Sequence, residues 1–257
     1  MTVSEDRRSC FCLGAKRHCY DFARSGYLNL NPPTGGAGDL RDAIRARTCF
    51  LEAGYYQPLA ERLEEILERI PSDRVMDAGC GEGYYTNRFA KDRTVIGVDL
   101  SKNGIEAGAK SAAAKATNAS FVVASLFALP IQDESLDVVV NIFAPCAESE
   151  FCRVLKPRGH VLLVAAGEQH LFGLKEQLYE NPYRNSGRAD LPKDMICVEK
   201  TKLSYPVTVR GQEHIQALFS MTPYYWRTSP ADRAKLAGLE QLTTELDFDL
   251  FLFKKGS

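Results

Sequence analysis

The sequence lacks a long apolar run, a net charge of one sign, internal repeats and any low-complexity tract. Its longest candidate, Val161–Ala166, is far shorter than the ~18 residues that a membrane-spanning helix needs. The first residues contain no apolar segment of the kind found in secretory signals, so we expect a cytoplasmic protein without a membrane partner. Lys and Arg total 32 against 33 Asp and Glu, which excludes a strongly basic, histone-like nucleic-acid binder; no DNA partner is expected.

The charge is unevenly distributed along the chain. Residues 1–50 carry a net charge of +3 and residues 183–237 carry +4, whereas the intervening residues 51–182 carry −6. One interpretation is a random scatter of surface charge. The other is an acidic core domain whose basic flanks contact a polyanion.

Apolar residues make up 45% of the 257, enough for one large domain with a small appendage. Residues 1–30, which contain three clustered cysteines, are predicted to form a small N-terminal module. Prolines and glycines dominate Asn31–Gly38, so residues 31–39 are predicted to be a linker. Residues 40–257 form the predicted main domain. Without an export signal, we expect the eight cysteines to be mostly thiols.

Apolar periodicity predicts the fold class. Residues 40–70 show helical spacing, and Pro71 ends the pattern. Short apolar strands then alternate with helical segments, which is typical of a doubly wound, mostly parallel α/β sheet. After Gly167, Lys202–Val209 and Thr243–Phe253 alternate apolar and polar residues and predict two late strands. Residues 211–238 between them are an insert with two helix-like stretches.

A glycine-rich turn follows the first predicted strand of the main domain. Asp77 ends this strand, and Gly79, Gly81 and Gly83 follow at G-x-G-x-G spacing. Glycines allow a sharp turn and a close approach of a ligand to the backbone. The spacing differs from the G-x-G-x-x-G of dinucleotide sites, and the acidic Asp77 suits a cationic ligand better than a pyrophosphate.

Asp99 ends the next strand, where an acidic side chain commonly accepts hydrogen bonds from ribose hydroxyls. Two further segments follow in order: Leu129-Pro130 with Asp133-x-Ser135-Leu136-Asp137, and Val154–Gly159. The glycine turn alone is a weak signal, but the combination is specific.

Together these motifs resemble those of class I S-adenosylmethionine-dependent methyltransferases over residues 74–165. Read outward, the chain resembles the bacterial large-subunit rRNA (guanine-N1) methyltransferase family from about His18 to its C-terminus. The segments that carry this resemblance are Phe22–Leu30, Ala53–Leu59, Gly79–Thr86, Ala144–Cys146, His170-Leu171 and Met221–Trp226. The resemblance implies a Rossmann-like sheet, mostly parallel with a late antiparallel strand. It also implies S-adenosylmethionine as cofactor and large-subunit rRNA as partner.

The resemblance also implies which residues bind the cofactor. Tyr56 matches a family tyrosine before the fold, and His170 matches a family histidine after the fifth strand; from the sequence alone both would be packing residues. With the residues of the glycine turn and the strand end, the predicted set is Tyr56, Asp77, Gly79, Gly81, Glu82, Asp99 and His170.

The family has an N-terminal zinc module with Cys-x2-Cys and Cys-x3-His, from which this sequence departs. It has only Cys10-x-Cys12 followed by His18 and Cys19. Zinc ligands usually have C-x2–4-C spacing, so the pattern favours a degenerate, metal-free remnant. If zinc is bound, these four residues are the predicted ligands.

Residues after the fourth strand of the main domain are candidates for the chemistry. Asn141 is the candidate catalytic residue because its amide can hydrogen-bond a base edge or the cofactor; strand-end capping is the alternative. Phe143 can stack on a base. No residue is an obvious strong general base.

The acceptor is predicted to be guanine N1 in large-subunit rRNA. Aromatic and basic residues of the insert and the strand before it are candidates for RNA contact: Arg210, Tyr224, Tyr225, Trp226 and Arg227. The alternative is that Trp226 and its neighbours pack the insert onto the sheet. Two other functions remain open, a methyltransferase for a small metabolite and a catalytically weak rRNA-binding homologue. A homodimer is compatible with the sequence.

Overall fold

A computed structural model describes residues 2–6, 8–12, 18–31, 41–186 and 191–256. The predicted linker, apart from Asn31, lies outside the described residues. Among the residues described, no helix is both long enough and apolar enough to cross a membrane.

The main sheet has eight strands, and six of them are parallel. In chain order they are β4 (Leu28–Asn29), β5 (Arg74–Ala78), β6 (Thr94–Asp99), β7 (Ala119–Val123), β8 (Leu136–Ile142), β9 (Leu155–Ala166), β10 (Ile196–Arg210) and β11 (Gln241–Lys254). Their spatial order is β10-β11-β9-β8-β5-β6-β7-β4. The late strand β11 runs antiparallel to β9, and β10 runs antiparallel to β11. The predicted mostly parallel sheet with a late antiparallel strand is confirmed.

Helices connect the strands on both faces of this sheet. They are α1 (Arg41–Glu52), α2 (Gln57–Glu68), α3 (Tyr84–Phe89), α4 (Lys102–Lys115), α5 (Glu148–Val154), α6 (Phe172–Leu178), α7 (Gln212–Ser220) and α8 (Pro230–Ala234). The helical pattern predicted over residues 40–70 is two helices, because the chain turns at Gly54, whose φ is +85°. The insert contains α7 and α8, as its two helix-like stretches predicted.

Neighbouring residues of the central strands enter opposite cores. Val138 and Val140 pack with the apolar side chains of α2 and α6. Val139, between them, packs with Phe151 of α5. Alternation of this kind is expected where a parallel sheet is covered on both faces, because successive strand side chains point to opposite sides. Both faces of the sheet are therefore buried, so a ligand can reach the sheet only at the ends of its strands or at its outer strands.

The N-terminal module is attached to the main sheet. Its strands β1 (Thr2–Val3), β2 (Ser9–Phe11) and β3 (Cys19–Asp21) form a small antiparallel sheet. The chain then enters β4, in which Leu28 pairs with Val122 of β7. Leu28 and Cys10 share one buried cluster. The boundaries 1–30, 31–39 and 40–257 stay a prediction, but residues 28–29 are part of the main sheet.

The packing of β4 against β7 can be tested by truncating the buried side chain of Leu28. Leu28→Ala should lower the free energy of unfolding by about 2–3 kcal/mol, because it removes buried methyl groups and leaves a cavity. The measurement is urea unfolding followed by circular dichroism. The control is Phe11→Ala in the same module, whose exposed side chain should contribute less than about 0.5 kcal/mol. Equal stability of Leu28→Ala and the unchanged protein would show that β4 is not seated on β7.

Candidate functional site

The candidate site lies at the carboxyl ends of the parallel strands. Asp77 and Asn141 are the penultimate residues of β5 and β8, and Asp99 is the last residue of β6. In open α/β sheets ligands bind in the crevice at this edge. The strand order places β5 between β6 and β8, so the three side chains lie on adjacent strands.

The glycine turn crosses from β5 onto β6. The amides of Gly79 and Cys80 both donate to the carbonyl of Val98, at 2.8 and 3.2 Å. Gly79 has a φ of +80°, and a Cβ at this position would overlap the Cβ of Ala144. The sequence therefore needs glycine at residue 79 for both backbone conformation and packing.

Gly81 is required for a different reason. Its φ is +54°, and an added Cβ would meet only the Arg47 Nη1, at 3.0 Å. Among the described residues, no backbone atom other than those of its chain neighbours lies within 4 Å of that position, so this buried glycine is covered there by the Arg47 side chain alone. A turn without a side chain of its own lets a ligand contact the backbone.

Asp99 closes the turn from the other side. One carboxylate oxygen accepts from the Gly81 amide at 2.9 Å, and the other accepts from the Ser101 amide at 2.6 Å. Each carboxylate oxygen has a second lone pair, so the group can still accept hydrogen bonds from two hydroxyls. This geometry suits the predicted role of Asp99 toward a ribose.

Asp77 is buried behind the turn and accepts a 2.6 Å hydrogen bond from Thr86 Oγ1. Burial raises the pKa of Asp77 to about 7, the nearby carboxylates of Asp99 and Glu82 add to the increase, and the Thr86 hydrogen bond opposes it. A cation bound in front of the turn would favour the ionised carboxylate. Burial also raises the pKa of the Cys80 thiol well above its usual value, so this cysteine is not a reactive thiolate.

Arg47 is a site residue that the sequence did not indicate. It lies on α1, and its Nη1 is 3.2 Å from Oε2 of the buried Glu82. The same nitrogen lies above Gly81. A helical arginine is ordinarily a solvated surface residue, and only the packing of α1 against the glycine turn brings it to the site. Helix α1 thus covers part of the turn.

Tyr56 and His170, which are 114 residues apart, form a buried pair. The Asp247 amide donates to His170 Nδ1 at 3.2 Å, so His170 carries its proton on Nε2, which lies 3.3 Å from the Tyr56 hydroxyl and donates to it. Burial lowers the pKa of His170 to about 4 and raises that of Tyr56. The pair is therefore neutral and acts as a hydrogen-bonding and packing group, not as a base near pH 7.

Asn141 is buried and its amide nitrogen donates to two backbone carbonyls. The distances are 3.3 Å to Ala78 O and 3.2 Å to Pro145 O. These bonds connect the end of β5 to the loop after β8, which is the geometry of the capping alternative. A direct catalytic role of Asn141 stays a prediction.

The loop after β8 joins the two halves of the site. Phe143 is 47% exposed, has the left-handed φ of +54°, and its ring centroid lies 5.7 Å from that of His170. The next residue, Ala144, packs against Gly79. An exposed aromatic ring in an unfavourable backbone conformation is a common feature of functional sites. Two pairs of the predicted cofactor residues are in direct contact, Tyr56 with His170 and Gly81 with Asp99, and the Phe143 loop lies between the two pairs; the role of the seven residues in cofactor binding stays a prediction.

The N-terminal cysteines are not gathered into one cluster. His18 Nδ1 lies 3.3 Å from Cys12 Sγ, whereas Cys10 is buried in the cluster with Leu28 and Cys19 is exposed beside Asp21. In the part of the chain that the structure describes, no group of three or more His, Cys, Asp or Glu residues is placed to hold a metal ion.

Comparisons with known proteins agree with this geometry. The family model for the methyltransferase domain matches residues 71–219. The YcgJ protein of Bacillus subtilis has a similar structure, with a TM-score of 0.52 over 77% of this chain and 98% of that chain, at 17% identity. A putative methyltransferase of Bacillus halodurans gives a TM-score of 0.51 over 77% and 99% at 15% identity. These structures show the fold.

Three relatives are similar over nearly the whole chain. The 23S rRNA (guanine(748)-N(1))-methyltransferase of Streptomyces fradiae is 29% identical over 90% of this chain and 87% of its own length. The putative 23S rRNA (guanine-N(1)-)-methyltransferase YxjB of Bacillus subtilis is 28% identical over 96% and 92%. A protein of the same putative activity from Micromonospora griseorubida is 31% identical over 88% and 84%.

Two glycine substitutions should separate folding from ligand binding. Gly81→Ala adds a methyl group that meets only the flexible Arg47 side chain and should leave the protein folded, at a cost of about 1–2 kcal/mol for the left-handed backbone, while weakening S-adenosylhomocysteine binding at least about tenfold. Gly79→Ala overlaps Ala144 and should lower stability by about 2–4 kcal/mol. Thermal unfolding and titration calorimetry measure both effects. Unchanged affinity for S-adenosylhomocysteine in Gly81→Ala would show that residue 81 does not contact the cofactor.

Asp77 should make cofactor binding depend on pH. Its folded-state pKa lies above the unfolded value, so its ionisation costs stability as pH rises from about 4 to 7, and a bound cation offsets that cost. Affinity for S-adenosylmethionine, whose sulfonium is the cation, should fall by up to about tenfold per unit as pH decreases below 7 and stay level above it. Calorimetry in buffers of different ionisation enthalpy should detect proton release near pH 6. Asp77→Asn should have a flat profile; a flat profile in the unchanged protein would contradict the assignment.

The metal content of the N-terminal module is open to direct measurement. We expect well under one zinc per chain after mild dialysis, because tetrahedral zinc needs four ligands at about 2.0–2.3 Å and the described residues bring no group of three or more His, Cys, Asp or Glu together for a metal ion. Elemental analysis by plasma mass spectrometry measures the stoichiometry. One zinc per chain that is lost in Cys12→Ser and His18→Ala would restore the family's zinc module.

Proposed function

Since the chain belongs to the class I S-adenosylmethionine-dependent methyltransferases, in the family of the bacterial 23S rRNA (guanine-N1) methyltransferases, we propose that it transfers a methyl group to N1 of a guanine in large-subunit rRNA. The relatives that carry this name match the chain along most of its length. The N-terminal module and the insert are thus included in the similarity, in addition to the general cofactor-binding motifs.

The residues at the sheet edge fit the cofactor. When bound, S-adenosylmethionine supplies an electrophilic methyl group on a cationic sulfonium. Asp99 would accept its ribose hydroxyls, Gly81 would permit its approach, and the acidic group of Asp77 and Glu82 would favour its positive charge. Tyr56 and His170 would line the other half of the site.

The observation that supports a nucleobase acceptor is the position of Phe143. Its ring is half exposed at the end of β8, beside His170 and one residue from the packing partner of Gly79. A planar apolar surface there can hold an unstacked guanine by its face while the Watson–Crick edge points toward the glycine turn. The contribution of the protein is mainly position and orientation, which suits a displacement with a good, neutral leaving group.

Guanine N1 carries a proton that must leave when its bond to the methyl carbon forms. His170 already receives an amide hydrogen on Nδ1 and donates from Nε2, so it has no free lone pair for this proton. Water is the proposed acceptor. Asn141 would act by holding the Phe143 loop against β5.

The direct test is methyl transfer from labelled S-adenosylmethionine to deproteinised 23S rRNA, followed by mass mapping of the product and of rRNA from cells with and without the gene. We expect one guanine to gain a methyl group at N1. Ribonuclease-resistant transfer to a small molecule in a cell extract would support the metabolite alternative. Stoichiometric rRNA binding without transfer would support the catalytically weak homologue.

Phe143→Ala should reduce kcat/KM on 23S rRNA by about 5- to 100-fold, the range expected for loss of one base-stacking contact. Affinity for S-adenosylhomocysteine should change less than about twofold, and Phe143→Tyr should restore activity because its ring stacks in the same way. Single-turnover methylation and calorimetry are the measurements. Full activity in Phe143→Ala would show that the ring does not hold the acceptor.

A further inference from the structure

Two of the aromatic side chains exposed outside the site described above lie on segments next to it. Tyr183 follows α6 and is 57% exposed, and Trp226 lies in the insert between α7 and α8 and is 70% exposed; Phe11 and Phe127 are exposed elsewhere. Tyr and Trp are enriched at binding interfaces, where an apolar ring with a polar tip is useful. The exposure of Trp226 excludes the interpretation in which it packs the insert onto the sheet, whereas Tyr224 is buried and serves that purpose.

The backbone at Tyr183 is held by a buried lysine. Lys175 of α6 has no exposed surface, and its ammonium donates to Tyr183 O at 3.1 Å and to Asn185 Oδ1 at 2.7 Å. The amide of Asn185 in turn donates to Gly167 O at 2.9 Å and to His170 O at 3.0 Å. A buried ammonium is costly unless its hydrogen bonds are made, so the hydrogen bonds of Lys175 should hold these residues in one arrangement. It fixes the Tyr183 loop to the segment that carries His170.

The turn that carries Trp226 packs against the same lysine. The buried Tyr224 ring has its centroid 5.3 Å from the Lys175 ammonium, which also lies 4.3 Å from the Tyr183 centroid. On the far side of the turn, Thr228 Oγ1 is 2.8 Å from the Tyr179 hydroxyl. One buried ammonium therefore links the loop of Tyr183, the turn of Trp226 and, through Asn185, the acceptor side of the site.

Positive charge accompanies the two rings. Arg184 and Arg227 are exposed and directly follow Tyr183 and Trp226 in the chain. Neither guanidinium forms an ion pair with a carboxylate of any residue that the structure describes. Each exposed ring is thus followed in sequence by a cation that no carboxylate of a described residue neutralises; the Arg184 guanidinium also lies beside the Gln169 side-chain amide and 6.0 Å from the centroid of the Phe172 ring. We call these four residues, Tyr183, Arg184, Trp226 and Arg227, the aromatic strip.

We propose that the aromatic strip binds unpaired nucleotides that flank the target guanine, with bases stacked on Tyr183 and Trp226 and phosphates contacted by Arg184 and Arg227. This inference rests on the proposed function. Stacking requires exposed base faces, which single-stranded RNA offers and a duplex does not. In each of the two segments an aromatic ring is followed by a guanidinium, which suits the base and the phosphate of one nucleotide.

The chain contains one tryptophan, so emission excited at a wavelength that tyrosine does not absorb reports on Trp226 alone. Titration of the full-length protein with a mixed-sequence, single-stranded RNA dodecamer at low salt should quench this emission, since a stacked base is a contact quencher. A blunt duplex of the same sequence should bind through phosphates and quench much less. Binding of the dodecamer, followed by anisotropy of a fluorescent label, without quenching would overturn the assignment of Trp226.

Variants test the strip by function. Trp226→Ala and Tyr183→Ala should each weaken dodecamer binding by about 5- to 100-fold and raise the KM for 23S rRNA to a similar extent. Both should leave kcat and S-adenosylhomocysteine affinity within about twofold, and Trp226→Phe should largely restore binding. The control is Ile196→Ala, which should change nothing. Ile196 has a similarly exposed apolar side chain and lies at the start of β10, level with the amino ends of the central parallel strands.

The two proposals fail in different ways. If the protein methylates 23S rRNA but the strip variants keep its KM and its dodecamer affinity, the strip is wrong and the function stands. If the protein neither binds nor methylates RNA, both are wrong. Loss of binding to a protein partner rather than to RNA in Trp226→Ala would likewise reject the strip as a nucleotide site.

Discussion

The crossing of the glycine turn onto the neighbouring strand is the constraint on which the site depends. Two successive amides, those of Gly79 and Cys80, share the Val98 carbonyl, and Asp99 then returns to the Gly81 amide. These bonds connect the ends of β5 and β6 in both directions. Ala144 leaves no room for a side chain at residue 79, so only glycine fits at the start of the turn. Asp77 is then behind it, out of water, and Asp99 is in front.

The acceptor side depends on the antiparallel part of the sheet. Strand β11 pairs with β9 and thereby brings the Asp247 amide to His170. That single hydrogen bond determines the tautomer of His170, and the tautomer determines that Tyr56 is an acceptor in their contact. Both side chains are consequently uncharged at physiological pH, and the Phe143 ring packs against that of His170. Position, rather than acid–base strength, is what this half of the molecule supplies.

Sequence reasoning predicted the parts that local chemistry controls. Strand–turn–helix succession, the glycine spacing and the acidic residues at strand ends follow from backbone conformation, and the structure has each of them. Tyr56 and His170 were assigned only through a family resemblance, and the structure brings them together. Arg47 was missed because its role comes from the docking of α1, which no local pattern encodes. The exposure of Trp226 was also undecided, since a helical insert can bury or present the same side chain.

The pairing of β4 with β7 has a consequence for how the chain folds. Leu28 can pair with Val122 only after Val122, roughly a hundred residues later in the chain, has been synthesised. A contact of such long range forms slowly because it closes a large loop. Until then, the edge of β7 is open to any other strand. Strand β4 precedes the other strands of the main sheet in the chain, yet it is expected to be added late, and it closes the sheet at that edge.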